Sequence, residues 1–88
     1  MKVTFRRSFE KDLKKVREQN LLHRVRAIIE RIEAAETIQE IPNFERLSGA
    51  SSFGRVRIGD YRLGLAIQGE EIDIVRLLHR REIYRFFP

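Results

Sequence analysis

Arginines dominate the parts of this chain that could do chemistry. Arg55 and Arg57 stand two residues apart in a run where basic and apolar residues alternate, and Arg62 follows soon after a Gly-Asp pair. A guanidinium group binds phosphate through paired hydrogen bonds and keeps its charge at neutral pH. Because residues two apart in a strand share a face, these arginines could converge on one trough suited to a phosphate ligand. The simpler alternative is that they only solvate the exposed face of a sheet.

The last ten residues combine one imidazole, three guanidinium groups and three aromatic rings. Histidine is the residue type that most readily exchanges a proton near neutral pH, so His79 is a candidate for proton transfer. A structural histidine at a strand end is the alternative. Tyr84 suits either the edge of a core or contact with a nucleobase. The helical spacing of Ile83, Phe86 and Phe87 predicts that these three residues close the core.

The chain is basic, and its positive charge lies toward its two ends. Its 88 residues include 18 Lys and Arg, fourteen of them Arg, and 13 Asp and Glu, which gives a net charge of +5. Residues 1–19 carry +4 and residues 54–88 carry +2, whereas residues 20–53 carry −1. An arginine-rich basic surface favours a polyanionic partner, which is either a nucleic acid or an acidic protein.

The composition excludes several classes of site and protein. The chain has no cysteine, which rules out disulfides, thiolate catalysis and cysteine-ligated zinc. Its two histidines are far apart and lack a cluster of acidic ligands, so we expect no metal and no cofactor. The apolar runs are too short to span a bilayer. We therefore expect one cytoplasmic domain over residues 1–88, without a membrane partner.

The spacing of apolar residues in the first half predicts a strand and two helices. Residues 3–5 are β-prone, and Ser8 is a candidate cap for a first amphipathic helix. Asn20 is a candidate cap for a second helix, whose apolar stripe ends near Ala35. The tight connection between them predicts an antiparallel helical hairpin.

The second half has the patterning of strands. Pro42, Asn43, Ser48, Gly49, Ser51 and Ser52 mark a loop region. Strands are predicted at 53–58, 61–67 and 72–78, turns at 59–60 and 69–70, and a short helical tail at 80–87. Gly64 and Ala66 share a face with Arg62, which predicts open space beside that arginine.

The order of these elements, β-α-α-β-β-β, predicts an α+β fold. We expect two N-terminal antiparallel helices packed on one face of a mainly antiparallel, four-stranded twisted sheet, with a short C-terminal helical tail. One face of the sheet is then buried by the helices. The other face is left to curve around a ligand.

Four blocks of the chain together resemble a known family. They are SFEKDL at 8–13, LSG at 47–49, RVRIGDYR at 55–62 and HRREIYR at 79–85. The sequence resembles the RelE/ParE toxin superfamily, and its RelE-like branch most nearly. The resemblance covers essentially the whole chain in the right order, and the RIGDYR and HRREIYR segments are its most specific parts.

The resemblance implies a single RelE-like toxin domain from a type II toxin–antitoxin system. It implies a metal-independent endoribonuclease that cleaves mRNA in the A site of the 30S ribosomal subunit. In that chemistry the 2′-hydroxyl group of the substrate attacks the adjacent phosphate and the 5′-oxygen leaves. It also implies a cognate antitoxin that covers the trough or displaces the tail.

The resemblance carries roles onto individual residues. The expected catalytic residues are Arg57, Arg62, Arg81, Tyr84 and His79, and the expected RNA-binding residues are Arg55, Arg80 and Arg85. Arg62 and Arg81 match the phosphate-clamping arginines of the family. Tyr84 matches its C-terminal tyrosine, which positions the nucleobase or the 2′-hydroxyl group.

Positions 55 and 57 depart from the family pattern, because the prototype has two lysines there. An arginine stays protonated in ordinary protein settings, so Arg57 is a poor general base but a good electrostatic stabiliser. We therefore hypothesise that His79 or Tyr84 assists proton transfer.

Two other functions stay open at this point. The first is a ParE-like poison of DNA gyrase that cleaves no RNA. The second is a non-toxic binding module that keeps only the contact with an antitoxin. The arginines at positions 55, 57, 62 and 81 argue against the gyrase poison, because members of that branch generally lack the basic catalytic set.

Overall fold

The computed structural model describes residues 1–48 and 52–88, which form one five-stranded sheet packed with helices. The strands are β1 (Lys2–Phe5), β2 (Phe44–Arg46), β3 (Phe53–Ile58), β4 (Tyr61–Gln68) and β5 (Glu71–His79). The helices are α1 (Arg7–Lys14), α2 (Gln19–Ala34) and α3 (Ile83–Phe86), with a short 3-10 turn at Ile38–Glu40. The predicted loop markers Gly49 and Ser51 lie outside the described residues.

Helices α1 and α2 cover one face of the sheet, which we call the inner face. On β3 and β4, residues such as Val56 and Leu63 lie on this face and are fully buried. Phe9 of α1 packs with Val25 and Ile32 of α2 into the same core. Within the described ranges, no helix combines the length and apolarity needed to cross a bilayer.

The strands are arranged in the order β1-β5-β4-β3-β2. β1 runs parallel to β5, and the other neighbours are antiparallel. Two-residue turns join β3 to β4 and β4 to β5, as predicted, and begin with Gly59 and Gly69 at φ +59°. Residues with a side chain rarely adopt this left-handed conformation, so glycine suits these tight hairpins.

The predicted α+β class is confirmed, but the sheet has five strands rather than four. The additional strand, β2, comprises three residues within the predicted loop region and pairs with residues 54–56. Three residues are too few for an alternating pattern to be recognised. The tail is helical only over residues 83–86, because residues 80–82 form a turn.

Both predicted helix caps are wrong. α1 begins at Arg7, so Ser8 lies inside its first turn. α2 begins at Gln19, so Asn20 also lies inside the helix. The Ser8 hydroxyl group donates instead to the carbonyl oxygen of Val75 at 2.6 Å. A residue type that favours caps is here used for a tertiary contact.

Helix α1 completes the hydrogen bonding of β5 beyond the end of β1. The β1 ladder ends where Phe5 pairs with Ile74. Further along β5, the carboxylate of Asp12 accepts the backbone N–H of Leu77 at 2.9 Å. It also accepts two hydrogen bonds from Arg76, at 2.8 and 3.1 Å, which raise the pKa of that arginine. Asp12 is only 6% exposed, so a buried and fully paired carboxylate fixes α1 against β5.

A second carboxylate joins β1 to β5. Asp73 accepts hydrogen bonds from Thr4 and Arg6, and these lower the pKa of Asp73. The folded protein therefore favours the charged form of this group. Its contribution to stability is present above about pH 4 and is lost as the pH falls.

A second apolar cluster covers part of the opposite face, which we call the outer face. Ile83 and Phe87 are 1% and 5% exposed and pack against Leu78 of β5. The Phe87 ring lies over Gly64, where an added Cβ atom would come within 2.8 Å of the ring. At Gly64 the prediction of open space is therefore wrong, because the Phe87 ring fills it. Phe86, predicted to close the core with the other two, is half exposed.

We expect Asp12→Ala to lower the free energy of unfolding by about 3 kcal/mol, because it leaves the Leu77 amide buried without an acceptor and Arg76 without its partner. Urea denaturation measures this change. The matched control is Glu10→Ala on the exposed side of the same helix, which should change stability by less than about 0.5 kcal/mol. Equal effects of the two substitutions would contradict the role given to Asp12.

Candidate active site

Strands β3 and β4 carry three arginines on the outer face of the sheet. Arg57 is paired with Arg62 across the two strands, and paired residues share a face. Arg55 lies two residues before Arg57 and so lies on the same face. With neighbouring residues they line a shallow pocket of about 270 Å³. The lining residues are Asn43, Phe44, Glu45, Arg55, Arg57, Arg62 and Tyr84.

The direct pairing of Arg57 with Arg62 brings two positive charges together. The Cβ atoms of paired residues lie about 5 Å apart, and like charges at such a pair destabilise a sheet. Arg57 is exposed, and its guanidinium group forms no ion pair with any residue in 1–48 or 52–88. An anion held between the two arginines would relieve the repulsion, so the pair suits a phosphate group.

The hairpin turn holds the side chain of Arg62. Its Nη1 atom donates to the carbonyl oxygens of Gly59 at 3.0 Å and of Tyr61 at 2.9 Å. Within the part of the chain that the structure describes, the other nitrogen atoms of this guanidinium group have no hydrogen-bond partner. The side chain is thus oriented before a ligand arrives, while several of its donors stay available.

Arg55 connects β2 to α3 across the pocket. Its Nη2 atom lies 2.7 Å from Oε1 of Glu45, the residue paired with it on β2. Its Cζ atom lies 4.5 Å from the centre of the Tyr84 ring, which is a cation–π contact. The Arg55 side chain is only 17% exposed, so it holds the carboxylate and the phenol in the pocket in addition to supplying charge.

Tyr84 reaches the pocket because α3 folds onto the outer face. Its neighbours Ile83 and Phe87 are buried there, and Phe87 packs edge-on against Phe53 of β3 with ring centres 5.7 Å apart. Tyr84 itself is 71% exposed. Its ring is therefore available to stack on a base, and its hydroxyl group can donate or accept a hydrogen bond.

Sequence reasoning missed three residues of the pocket, Asn43, Phe44 and Glu45. All three lie in or next to β2, the strand that was not predicted. The available signal was Phe44, an aromatic residue just after a Pro-Asn turn, which is typical of a short strand. Among the described residues, Glu45 is the one carboxylate that lines this pocket. No group of three His, Cys, Asp or Glu side chains suited to a metal ion occurs within the described ranges.

His79 does not line the arginine pocket. It pairs with Tyr61, and both lie on the face of the sheet opposite to that of Arg62. The two rings meet edge-on with their centres 5.5 Å apart. The Nδ1 atom of His79 accepts the backbone N–H of Arg81 at 3.2 Å. The structure thus separates the imidazole group from the three arginines.

The tail arginines also lie outside the lining of this pocket. Arg81 is exposed in the turn between β5 and α3. The Nε atom of Arg80 lies 3.9 Å from Oδ1 of Asp60. The Cζ atom of Arg85 lies 5.4 Å from the centre of the Phe86 ring. Of the predicted site residues, the pocket brings together Arg55, Arg57, Arg62 and Tyr84.

Solved structures of other proteins share this fold. A RelB–RelE antitoxin–toxin complex from Methanococcus jannaschii matches at 32% identity and a TM-score of 0.82, over 97% of this chain and 99% of that chain. A YoeB–YefM complex from Staphylococcus aureus matches at 18% identity and a TM-score of 0.68, over 90% of this chain and 95% of that chain. The RelBE2 toxin–antitoxin complex from Mycobacterium tuberculosis matches at 24% identity and a TM-score of 0.59, over 90% of this chain and 96% of that chain. At their low identities, the last two bear on the fold alone.

Sequence comparison identifies the family. Residues 3–84 match the model of the ParE toxin of type II toxin–antitoxin systems. A relative named Toxin RelE3, from Methanocaldococcus jannaschii, is 35% identical over the full length of both chains. This relative and the RelB–RelE complex favour the RelE-like branch and confirm the resemblance found in the sequence. The chain therefore belongs to the RelE/ParE toxin superfamily of type II toxin–antitoxin systems, in its RelE-like branch.

Proposed function

We propose that this toxin is an endoribonuclease that cleaves mRNA in the ribosomal A site. The observation that carries the proposal is the pocket shared by Arg57, Arg62 and Tyr84 on one face of the sheet. Binding a phosphodiester next to an unstacked base requires cations for the phosphate and an aromatic ring for the base. Both kinds of group line this pocket.

The proposed reaction is an internal transfer within the RNA. The 2′-oxygen forms a bond to the adjacent phosphorus as its proton leaves, and the bond from phosphorus to the 5′-oxygen breaks as that oxygen gains a proton. Negative charge builds on the nonbridging oxygens in between. In-line positioning, nearby cations and proton transfer at both ends accelerate such a reaction.

Guanidinium groups supply the positive charge in this proposal, so it needs no metal ion. Arg57 and Arg62 form the proposed clamp on the scissile phosphate. These two arginines are paired across the strands, and an anion bound between them offsets the repulsion between their positive charges. Arg80, Arg81 and Arg85 are proposed RNA contacts along the exposed tail. Their positions outside the pocket suit the flanking phosphates.

Glu45 is the proposed acceptor of the 2′-hydroxyl proton. An arginine cannot take up a proton, whereas a carboxylate can, and the Glu45 carboxylate lines the same pocket as Arg57 and Arg62. Its ion pair with Arg55 at 2.7 Å orients it. Tyr84 is the proposed contact with the nucleobase or the 2′-hydroxyl group. Proton transfer by His79 receives no support from the position of that residue.

A cognate antitoxin is the proposed protein partner. The RelB–RelE structure, at 32% identity, is a complex of a toxin with its antitoxin. In this chain, the excess positive charge of the pocket suits acidic residues on such a partner. We propose that the antitoxin inhibits cleavage by covering the pocket or by displacing the exposed Tyr84.

The activity is tested by adding the purified protein to ribosomes programmed with a defined mRNA and mapping the RNA ends by primer extension. We expect cleavage within the A-site codon and only when ribosomes are present. Cleavage of free RNA would contradict the ribosome dependence, and intact mRNA would contradict the proposed function. In cells, we expect a rapid block of translation. DNA breaks with filamentation would instead indicate a gyrase poison, and normal growth a non-toxic module.

Arg57→Ala should lower the cleavage rate by about 100-fold or more, because it removes a cation next to the charge that builds on the phosphate. The melting temperature should stay the same or rise, since the like-charged pair with Arg62 is gone. Single-turnover kinetics and thermal unfolding measure the two effects. Arg31→Ala, an exposed arginine of α2, is the control and should leave cleavage unchanged. A parallel loss of stability and activity in Arg57→Ala would count against the clamp.

Glu45→Gln should lower the cleavage rate by about 100-fold, because glutamine keeps the shape of the side chain but is not a proton acceptor of comparable strength. Binding of programmed ribosomes should persist, as measured by co-sedimentation. The control is Glu33→Gln on the exposed face of α2. A Glu45→Gln protein that cleaves at the parental rate would remove Glu45 from proton transfer.

A further inference from the structure

We propose that His79 is a positioning residue, which fixes the turn that carries Arg81 from β5 to α3. This inference rests on the proposed function, in which Arg81 contacts the RNA. It replaces the expectation that His79 itself transfers protons.

Three hydrogen bonds shape this turn. The N–H of Glu82 donates to the carbonyl oxygen of His79 at 2.8 Å, and the N–H of Arg80 donates to the carbonyl oxygen of Asp60 at 2.7 Å. The N–H of Arg81 donates to Nδ1 of His79 at 3.2 Å. The first two bonds use backbone acceptors that any residue provides. The third depends on the identity of residue 79.

The third bond has the pattern of an Asx turn, in which a side chain accepts the backbone N–H two residues later. Asn and Asp are the usual residues at the first position of such a turn. His79 occupies that position with a ring nitrogen, and its edge-on contact with Tyr61 orients the imidazole group. The guanidinium group of Arg81 has no ion pair within 1–48 or 52–88, so its backbone is what determines its placement.

The same bond occupies the imidazole group. When Nδ1 accepts, the hydrogen of the neutral ring is on Nε2. The ring also lies on the face of the sheet opposite to the arginine pocket. For His79 to transfer a proton at the scissile phosphate, this hydrogen bond would have to break and the ring would have to leave its face.

Losing the bond should affect Arg81 without detaching the helix that follows. Ile83 and Phe87 anchor α3 by apolar burial, and neither contact involves the side chain of residue 79. The effect of a substitution at His79 is therefore expected at the turn, in the peptide of Arg81. This separates a positioning role from a general role in stability.

The test compares two substitutions that lose opposite properties. His79→Asn keeps an acceptor for the Arg81 amide but has no ring and no titratable proton, whereas His79→Phe keeps an aromatic contact with Tyr61 but has no acceptor. We expect ribosome-dependent cleavage to fall about tenfold in His79→Phe and to stay within about threefold of the parent in His79→Asn. His23→Phe, on the exposed surface of α2, is the matched control.

Hydrogen exchange at the Arg81 amide, followed by NMR, gives a readout that is independent of cleavage. We expect faster exchange in His79→Phe and parental exchange in His79→Asn. Unchanged exchange in His79→Phe would overturn the inference. So would a His79→Asn protein that is as inactive as His79→Phe while its Arg81 amide stays protected, because that result indicates proton transfer. If the parent cleaves no RNA, the proposed function fails, and the exchange rates still decide whether His79 fixes the turn.

Discussion

The packing of the C-terminal segment onto the outer face is the contact on which the pocket depends. Phe87 lies on Gly64, the residue of β4 that is paired with Arg55. Because glycine has no side chain, the aromatic ring can approach the sheet closely at this one place. The position of that ring determines where α3 lies, and so determines that Tyr84 meets Arg55. Without this contact the pocket would lose the exposed ring of Tyr84.

The two faces of the sheet divide stability and chemistry between them. The inner face carries the main core, with residues such as Leu63 and Ile74 fully buried against the helices. The outer face carries three guanidinium groups in the pocket, and Glu45 offsets only one of their charges. A sheet whose main core lies on one face can tolerate an unfavourable pair such as Arg57 and Arg62 on the other. Local rules of strand pairing are broken at the place where a ligand is expected.

Local patterns in the sequence predicted the part of the site that lies within single strands. Arg55 and Arg57 alternate with buried residues, and a period of two is a property of a few neighbouring residues. A strict alternation along β5 does not predict the face on which His79 lies. A bulge opposite Gly64 and Leu65 shifts the alternation along this strand by one residue. A bulge moves every later side chain of the strand to the other face, and its position is fixed only by the pairing of β5 with β4.

The remaining gaps arise from contacts between distant parts of the chain. β2 exists because three residues find a partner in β3, so Glu45 meets Arg55 only once that pairing forms. The position of the C-terminal segment on the sheet likewise depends on Gly64, which lies more than twenty residues before the Phe87 ring that packs on it. Composition and spacing predict which residues can bind phosphate. They do not predict which carboxylate or aromatic ring will stand beside them.

The way α1 occupies the side of β5 has a consequence for the behaviour of the protein in solution. Ser8 and Asp12 take up backbone groups of β5 that β1 does not reach. Within the described residues, the two outermost strands, β1 and β2, are only four and three residues long. Long unpaired strands invite other copies to add to a sheet and drive aggregation. Without its antitoxin, the toxin therefore presents only short strand edges to other copies, so we expect little aggregation by strand addition in spite of the apolar strands at its centre.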